Sequence, residues 1–478
     1  MDRRDFLKLS LTGMAAIAVG SVKIPGVFQN QAHAADNIIN LTMMEADVQM
    51  FDATLVYHWV YAADVSPVAA RNSVRGMQEQ VTPVAGPAGT QLFPSFPGPA
   101  IFATAGDTIT LNITNNLPAN VPHAFQVVGT KIKTGPIPAG QTRSITFKVP
   151  EGGTYMYIDP LNAPINRVMG LHGALVSLPA APAAGHRETP YSKPTPAVQQ
   201  IFDDLGNSPE LPPNAADVTL NNYLSTVPAN RGGWFLDPAH NRFRFWFLNS
   251  TDPTLNEEIR QGIIPTPAEF RRRYVALYMM MNGRAGGYCA HHHDVTVSAM
   301  IGQPHLLRFL NAGMVQHSCH IHGNHVWVMA INNQVRDNVF TVDVWSVRPM
   351  DRIDWMLPFR MPPDIPNKDF TGAKHSDNAG RAFQVPPEGN LATAVRDELE
   401  VRPIRNGTTA NLWPAQRPIP YPMHCHSEPS QAGAGGNYPG GLVTVWEITG
   451  DVNGIPFEVS IGPDDPDPTI YTNDAPPA

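Results

Sequence analysis

Residues 98–116 read GPAIFATAGDTITLNITNN, and TITLNITN within them alternates, putting Ile109, Leu111 and Ile113 on one face. A period of two is the period of a strand, and such an apolar face must be covered by a second layer. AGD before the run and NN after it are turn signals. PAGQTRSITFKVPEGGTYMYI (138–158) supplies two more strands around PEGG, and GALVSLP (173–179) a closing one. This is the rhythm of a β-sandwich. The 48 prolines and 38 glycines interrupt the chain too often for long helices, and 478 residues are enough for two or three domains.

The rhythm breaks over 180–268, which is rich in proline, alanine and polar residues; TDPTLNEEIRQGI (251–263) reads as a short helix with Asp252 as its cap. Strand signals return in RRYVALYMMMNG (272–283), PHLLRFLNAG (304–313), HVWVMAI (325–331) and VDVWSV (342–347). A second proline-rich excursion covers 360–422, and GGLVTVWEI (440–448) closes a second sandwich. The run RRR (271–273) reads as a solvated strand edge.

The start reads as a targeting segment. DRRDFLK (2–8) carries paired arginines, LSLTGMAAIAVGSV (9–22) is apolar but short for a bilayer span, and AHA (32–34) fits a small-x-small cleavage site. This is similar to a twin-arginine leader, although Asp2 stands where that motif usually has Ser or Thr. The expectation is export to the periplasm, with no stable membrane insertion after cleavage. A formal charge of -8 argues against a nucleic-acid partner, and three cysteines exclude a disulfide framework.

Two clusters carry the chemistry: HSCHIHGNH (317–325) and MHCHSEPS (423–430). On strands, His424 and His426 point one way and Cys425 the other; His320 and His322 also share a face, and His317 lies an odd number of residues before them. Pairing the two strands gathers His320, His322, His424 and His426 at one site, with Cys425 and His317 behind them. Imidazole suits copper, zinc, nickel and iron; one thiolate with histidine is the recipe for a blue-copper electron-transfer site.

These residues resemble the multicopper oxidase superfamily, whose domains are cupredoxin sandwiches. HSCHIHG is similar to its His-x-x-His-x-His-Gly motif and HCH to its His-Cys-His motif. FPGPAIFATAGDTITLNITNNLP and PIPAGQTRSITFKVPEGGTYMY resemble the first domain of laccases, and GLHGALVSLP the strand closing that domain, also found in copper nitrite reductases. The resemblance covers most of 92–180 and 272–450. It implies an all-β chain of tandem cupredoxin-like Greek-key β-sandwiches with long proline-rich insertions. It also implies copper as cofactor, His317 and Cys425 as blue-copper ligands, and His320, His322, His424 and His426 as the second domain's share of an oxygen-reducing cluster. The expected layout is a leader over 1–34, a first domain over 35–183, a connector over 184–268, a metal-bearing domain over 269–451 and an acidic tail over 452–478.

The departures reshape that expectation. His123-Ala124-Phe125 stands where the family has His-Trp-His, and Ile158-Asp159-Pro160 where it has His-Ser-His. Ser430 stands five residues past the cysteine, where a second blue-copper histidine belongs, and Leu442 is a candidate for the axial position. His123 is thus the one first-domain ligand retained, and the histidine site is expected to hold one or two metals. Asp159 offers an oxygen ligand or is a plain surface carboxylate. CAHHHD (289–294, with His291, His292 and His293) offers metal ligands or is a polar loop. Cys319 ligates, bridges to Cys289, or is a small buried thiol; His172 packs in the first sandwich, and His58 shows no partner pattern. The expected function is an exported copper oxidoreductase with an external electron donor, oxygen or another small acceptor, and, by resemblance, a homo-trimeric assembly. A periplasmic copper-binding or storage protein without turnover and a copper-free cupredoxin scaffold are the alternatives.

Overall fold

The computed structural model describes residues 38–64, 74–75, 84–86, 91–179, 186, 189–207, 243–290, 292, 295–300, 305–359, 419–427, 429–430 and 441–450. The leader, the 360–418 excursion, the acidic tail, His291 and His293 lie outside them. The first unit contains β1 (Ile38–Gln49), β2 (Leu55–Asp64), β3 (Val74–Arg75), β4 (Val84–Ala85), β5 (Gln91–Ser95), β6 (Gly98–Thr104), β7 (Thr108–Asn115), β8 (Gln126–Val127), β9 (Thr142–Lys148), β10 (Gly153–Ile158) and β11 (His172–Leu178). The second contains β12 (Phe243–Thr251), β13 (Tyr278–Met281), β14 (Val297–Met300), β15 (His305–Asn311), β16 (His317–Ile321), β17 (Val326–Ile331), β18 (Gln334–Val342), β19 (Val344–Val347), β20 (Arg352–Leu357), β21 (Ile419–Cys425) and β22 (Val443–Gly450).

Four sheets result: β4-β5-β2-β1-β7-β9, β3-β6-β11-β10-β8, β13-β12-β15-β20-β17-β18 and β14-β22-β21-β16-β19. They stack in that order. The first two enclose a core with Leu41, Trp59, Leu111, Tyr157 and Leu175, and the last two one with Trp246, Phe309, Trp355, Met423 and Trp446. A third core joins the units, pairing Phe102, Met156 and Val176 with Phe245, Leu306, Trp327 and Met356. This explains why β11 and β15 are buried at every residue: each strand packs one face in its own sandwich and the other in the shared core. Strand β7 instead alternates, burying Ile109, Leu111 and Ile113 as its pattern predicts.

Several expectations need correction. Part of the 184–268 segment belongs to the second sandwich: β12 pairs in parallel with β15 from Phe243↔Leu306 to Leu248↔Asn311. Its sequence, FRFWFLNST, lacks alternation because both faces are covered. The triplet Arg271–Arg273 is the last turn of a helix (Pro267–Arg273) with a Thr266/Glu269 capping box, not a strand edge. The strand expected over 272–283 is confined to Tyr278–Met281. The helix expected after 251 is present at Pro253–Arg260, with Asp252 accepting from the Thr254 and Leu255 amides.

Candidate metal centre

Strands β16 and β21 lie side by side and antiparallel, with Cys319 opposite Cys425, His320 opposite His424 and Ile321 opposite Met423. The pleat sends alternate residues to opposite faces. Cys319, Ile321, Met423 and Cys425 therefore enter the core of the second sandwich, while the histidines stand on the outer face of the last sheet, His320 and His424 half-buried and His322 and His426 exposed.

On that face His320, His322 and His424 each offer a ring nitrogen, all within 4.8 Å of one another. His426 joins them, its ring 4.7 Å from His320 and stacked at 5.1 Å on His424. The Nδ1 atoms of His320 and His424 face backbone carbonyls, Asp343 O at 3.0 Å and Cys425 O at 3.3 Å. Donation to those carbonyls puts the ring lone pair on Nε2, an arrangement that orients metal-binding imidazoles. His322 Nε2 and His424 Nε2 are 3.1 Å apart. Two nitrogens bound about 2.0–2.1 Å from one ion are separated by roughly that distance. Burial first, then the neighbouring histidines, hold His322 below the usual imidazole value; burial also lowers His424, against the opposing pull of the Cys425 carbonyl. Both shifts favour the neutral, ligating form.

Behind the sheet the Cys425 sulfur is surrounded by donors. Ser430 Oγ donates at 3.0 Å, the Ser318 amide at 3.3 Å and the Ser427 amide at 3.4 Å, while His317 Nδ1 stands 3.7 Å away. His317 is fully buried, its Nε2 has no hydrogen-bond partner among the described residues, and burial lowers its pKa to about 4. A neutral imidazole beside a cysteine sulfur, with one ring nitrogen uncommitted, fits a copper ligand pair. Ser430, five residues past the cysteine, thus places a hydroxyl on the sulfur. Leu442 is buried next to it, linked through Cys425 N to Leu442 O (3.2 Å) and Leu442 N to Ser430 O (2.6 Å).

The first unit behaves differently. Asp159 is not a surface carboxylate; it is fully buried and accepts from His123 Nδ1 (2.8 Å), Asn166 Nδ2 (2.8 Å) and the amides of Ala124 and Leu161. Burial raises its pKa, and the His123 hydrogen bond opposes that rise. His123 is fully buried against Trp59, in the first core. The structure does not bring it to the histidine cluster, because the middle two sheets lie between the first core and the outer face of the last sheet. His172 packs as expected, its Nδ1 on the Arg167 carbonyl at 2.7 Å and its ring on Phe247. His58, without a pattern in sequence, is likewise buried, its Nδ1 on the Val56 carbonyl at 2.9 Å. All three cysteines are free, so the Cys289–Cys319 bridge is not formed; burial pushes the Cys289 thiol up to about 12.

Residues 78–181 match the sequence model of a family described as multicopper oxidase. No curated protein sequence matches the chain. Similar solved structures include a blue copper oxidase from Nitrosomonas europaea, 14% identical over 86% of this chain and 85% of that one with a TM-score of 0.49. The multicopper oxidase mgLAC is 15% identical over 91% and 92% with a TM-score of 0.48. A copper nitrite reductase from Nitrosomonas europaea is 12% identical over 86% and 93% with a TM-score of 0.43. The family match thus covers 78–181, within the first unit, and HSCHIHG and HCH lie on paired strands of the second.

Proposed function

We propose that the chain is an exported copper oxidoreductase that takes electrons from an external donor at a Cys425–His317 site. It passes them to a reduced histidine site made of His320, His322, His424 and His426, where oxygen or another small acceptor is used. The observation carrying this reading is the back-to-back placement of the two ligand sets across one sheet. Cys425 sits in sequence between His424 and His426, so a short covalent path links the two sites. Copper bound at the two sites would supply one-electron redox chemistry and polarise the acceptor. The protein's part is to hold neutral imidazoles with their Nε2 atoms converging and to keep the sulfur dry among Ser430, Ser318 and Ser427 amide and hydroxyl donors. His123 is left out of the ligand set because it is buried against Trp59 in the first core, away from the outer face of the last sheet.

The histidine set lies on the outer face of the last sheet. Any first-unit group completing it therefore comes from another copy of the chain, which supports a homo-trimer with the site between subunits. With Phe125, Ile158 and Pro160 in place of first-domain histidines, laccase-type four-electron reduction of oxygen is not expected. Replacing His320 and His424 together by Ala should remove most of the copper found by mass spectrometry in the exported protein; unchanged copper would refute the placement. Ser430 and the reduced ligand count favour a second reading, a copper-binding protein without turnover. Bound copper with no donor-dependent oxygen or nitrite consumption would select it.

A further inference from the structure

Cys319 and Cys425 are direct partners across β16 and β21. Their position in the ladder is fixed by the neighbouring hydrogen bonds. The His426 amide donates to Ser318 O and the His322 amide to Pro422 O, whereas the Cys425 amide turns away, to Leu442 O on β22. Residues 318/426 and 322/422 thus fall at hydrogen-bonded positions, and Cys319/Cys425 at a non-hydrogen-bonded one. At such positions the Cα atoms approach to about 4.5 Å and the side chains are closest. That separation falls inside the range of about 4.4–6.8 Å that disulfides span. Both cysteines are free, both are buried, and both point into the same core, away from the histidine face.

The sulfur of Cys425 now faces His317 and Ser430. Turning about its Cα–Cβ bond to reach Cys319 breaks those contacts, so the two arrangements exclude each other.

We propose that Cys319 and Cys425 form a redox-active cross-strand dithiol, whose disulfide withdraws the Cys425 sulfur from the His317 pocket. The oxidant is a small two-electron acceptor such as hydrogen peroxide. The Cys425 thiol gives a sulfenic acid and one water; the Cys319 thiol then attacks that sulfur, forming the S–S bond and releasing a second water. Two thiols and one peroxide thus become one disulfide and two waters. The dithiol depends only on register and burial, whereas its competition with copper rests on the ligand role proposed for Cys425.

The experiment uses the full metal-free chain and diamide, which takes the same two electrons and two protons without copper-driven radical chemistry. The thiol count after denaturation should fall from three to one, and peptide mapping should join Cys319 to Cys425 within one chain, with Cys289 free. Cys319→Val should keep both of its remaining thiols. Three surviving thiols in the wild type, a bond through Cys289, or a bond between chains would each overturn the proposal. Prior loading with copper should slow the loss at least tenfold. If the intrachain bond forms at the same rate with copper present, the dithiol stands and the ligand role of Cys425 falls.

Discussion

Ser430 is the residue whose identity decides most about the sulfur site. A blue site takes two imidazoles and one thiolate, and here the second imidazole position holds a hydroxyl that donates to the sulfur at 3.0 Å. The side chain is fully buried, so this is a committed contact rather than a surface accident. Ser430→His would put an imidazole beside the copper site proposed at His317 and Cys425. The expected outcome is an intense visible thiolate-to-copper band in the oxidised, copper-loaded variant, absent or much weaker in the wild type and lost again in Ser430→His with Cys425→Ser. An unchanged spectrum, at unchanged copper content, would mean that Cys425 is not bound to metal. The same residue marks what the sequence can and cannot tell. Counting five positions past the cysteine finds the missing histidine, but not that the serine hydroxyl points at the sulfur. Asp159 is the parallel case in the first unit: its position is legible, whereas its burial and its pairing with His123 follow only from how β10 and the segment around Asn166 pack.

At the scale of elements, alternation was informative wherever one face meets a core and the other meets solvent or polar contacts. Strand β7 is legible for that reason, whereas β16 and β21 are legible through their His and Cys motifs. Strands buried on both faces carry no alternation to read, as in β12 and in β20, RIDWML. The opening pair β1 and β2 also escaped, although Leu41 and Met43 face the core and their ladder from Leu41↔Ala63 to Gln49↔Leu55 is long. The turn leaving β16 shows how one small residue sets an element's exit. Gly323 follows His322 with φ +76°, and a Cβ there would lie 2.6 Å from the Tyr421 ring. That ring is stacked on Trp446, whose Nε1 donates to His322 O at 2.7 Å, so little can yield. Gly323→Ala should cost about 1–2 kcal/mol from the left-handed backbone alone, with more from the displaced ring. It should lower the thermal midpoint and weaken copper binding at His322. A midpoint and copper content equal to the wild type would show that the turn relaxes freely.

Across the whole molecule, a shared core and buried polar contacts join the two units, and they are expected to unfold together. Asp354 accepts from Thr154 of the first unit (2.7 Å) and from Tyr191 of the intervening segment (3.0 Å), beside the buried Arg308. Asp354→Ala would leave that guanidinium uncompensated, at a cost of about 3 kcal/mol or more. Denaturation followed by tryptophan signals of the two units should keep a single transition, shifted to lower denaturant; two separated transitions would show that the units are independent. A pH dependence is also expected from buried histidines outside the proposed metal sites. Burial, against the pull of the Val56 carbonyl, lowers His58 to about 4, and burial, against the Arg167 carbonyl, lowers His172 to about 3. The unfolded chain binds these protons near pH 6.5, whereas the folded chain binds them only near pH 4 and 3. Stability present at neutral pH is therefore lost as pH falls from about 6.5 toward those values, by up to about 1.4 kcal/mol per pH unit for each histidine. Asp159 and Asp354, both raised by burial, work in the opposite direction, because protonation removes a buried charge. A variant isolates one histidine from this sum. His58→Gln should flatten the decline of unfolding free energy between pH 6 and pH 4.5 by about one proton's slope, whatever its effect at neutral pH. Parallel curves for wild type and variant over that range would mean that His58 takes up its proton in the folded protein as readily as in the unfolded chain.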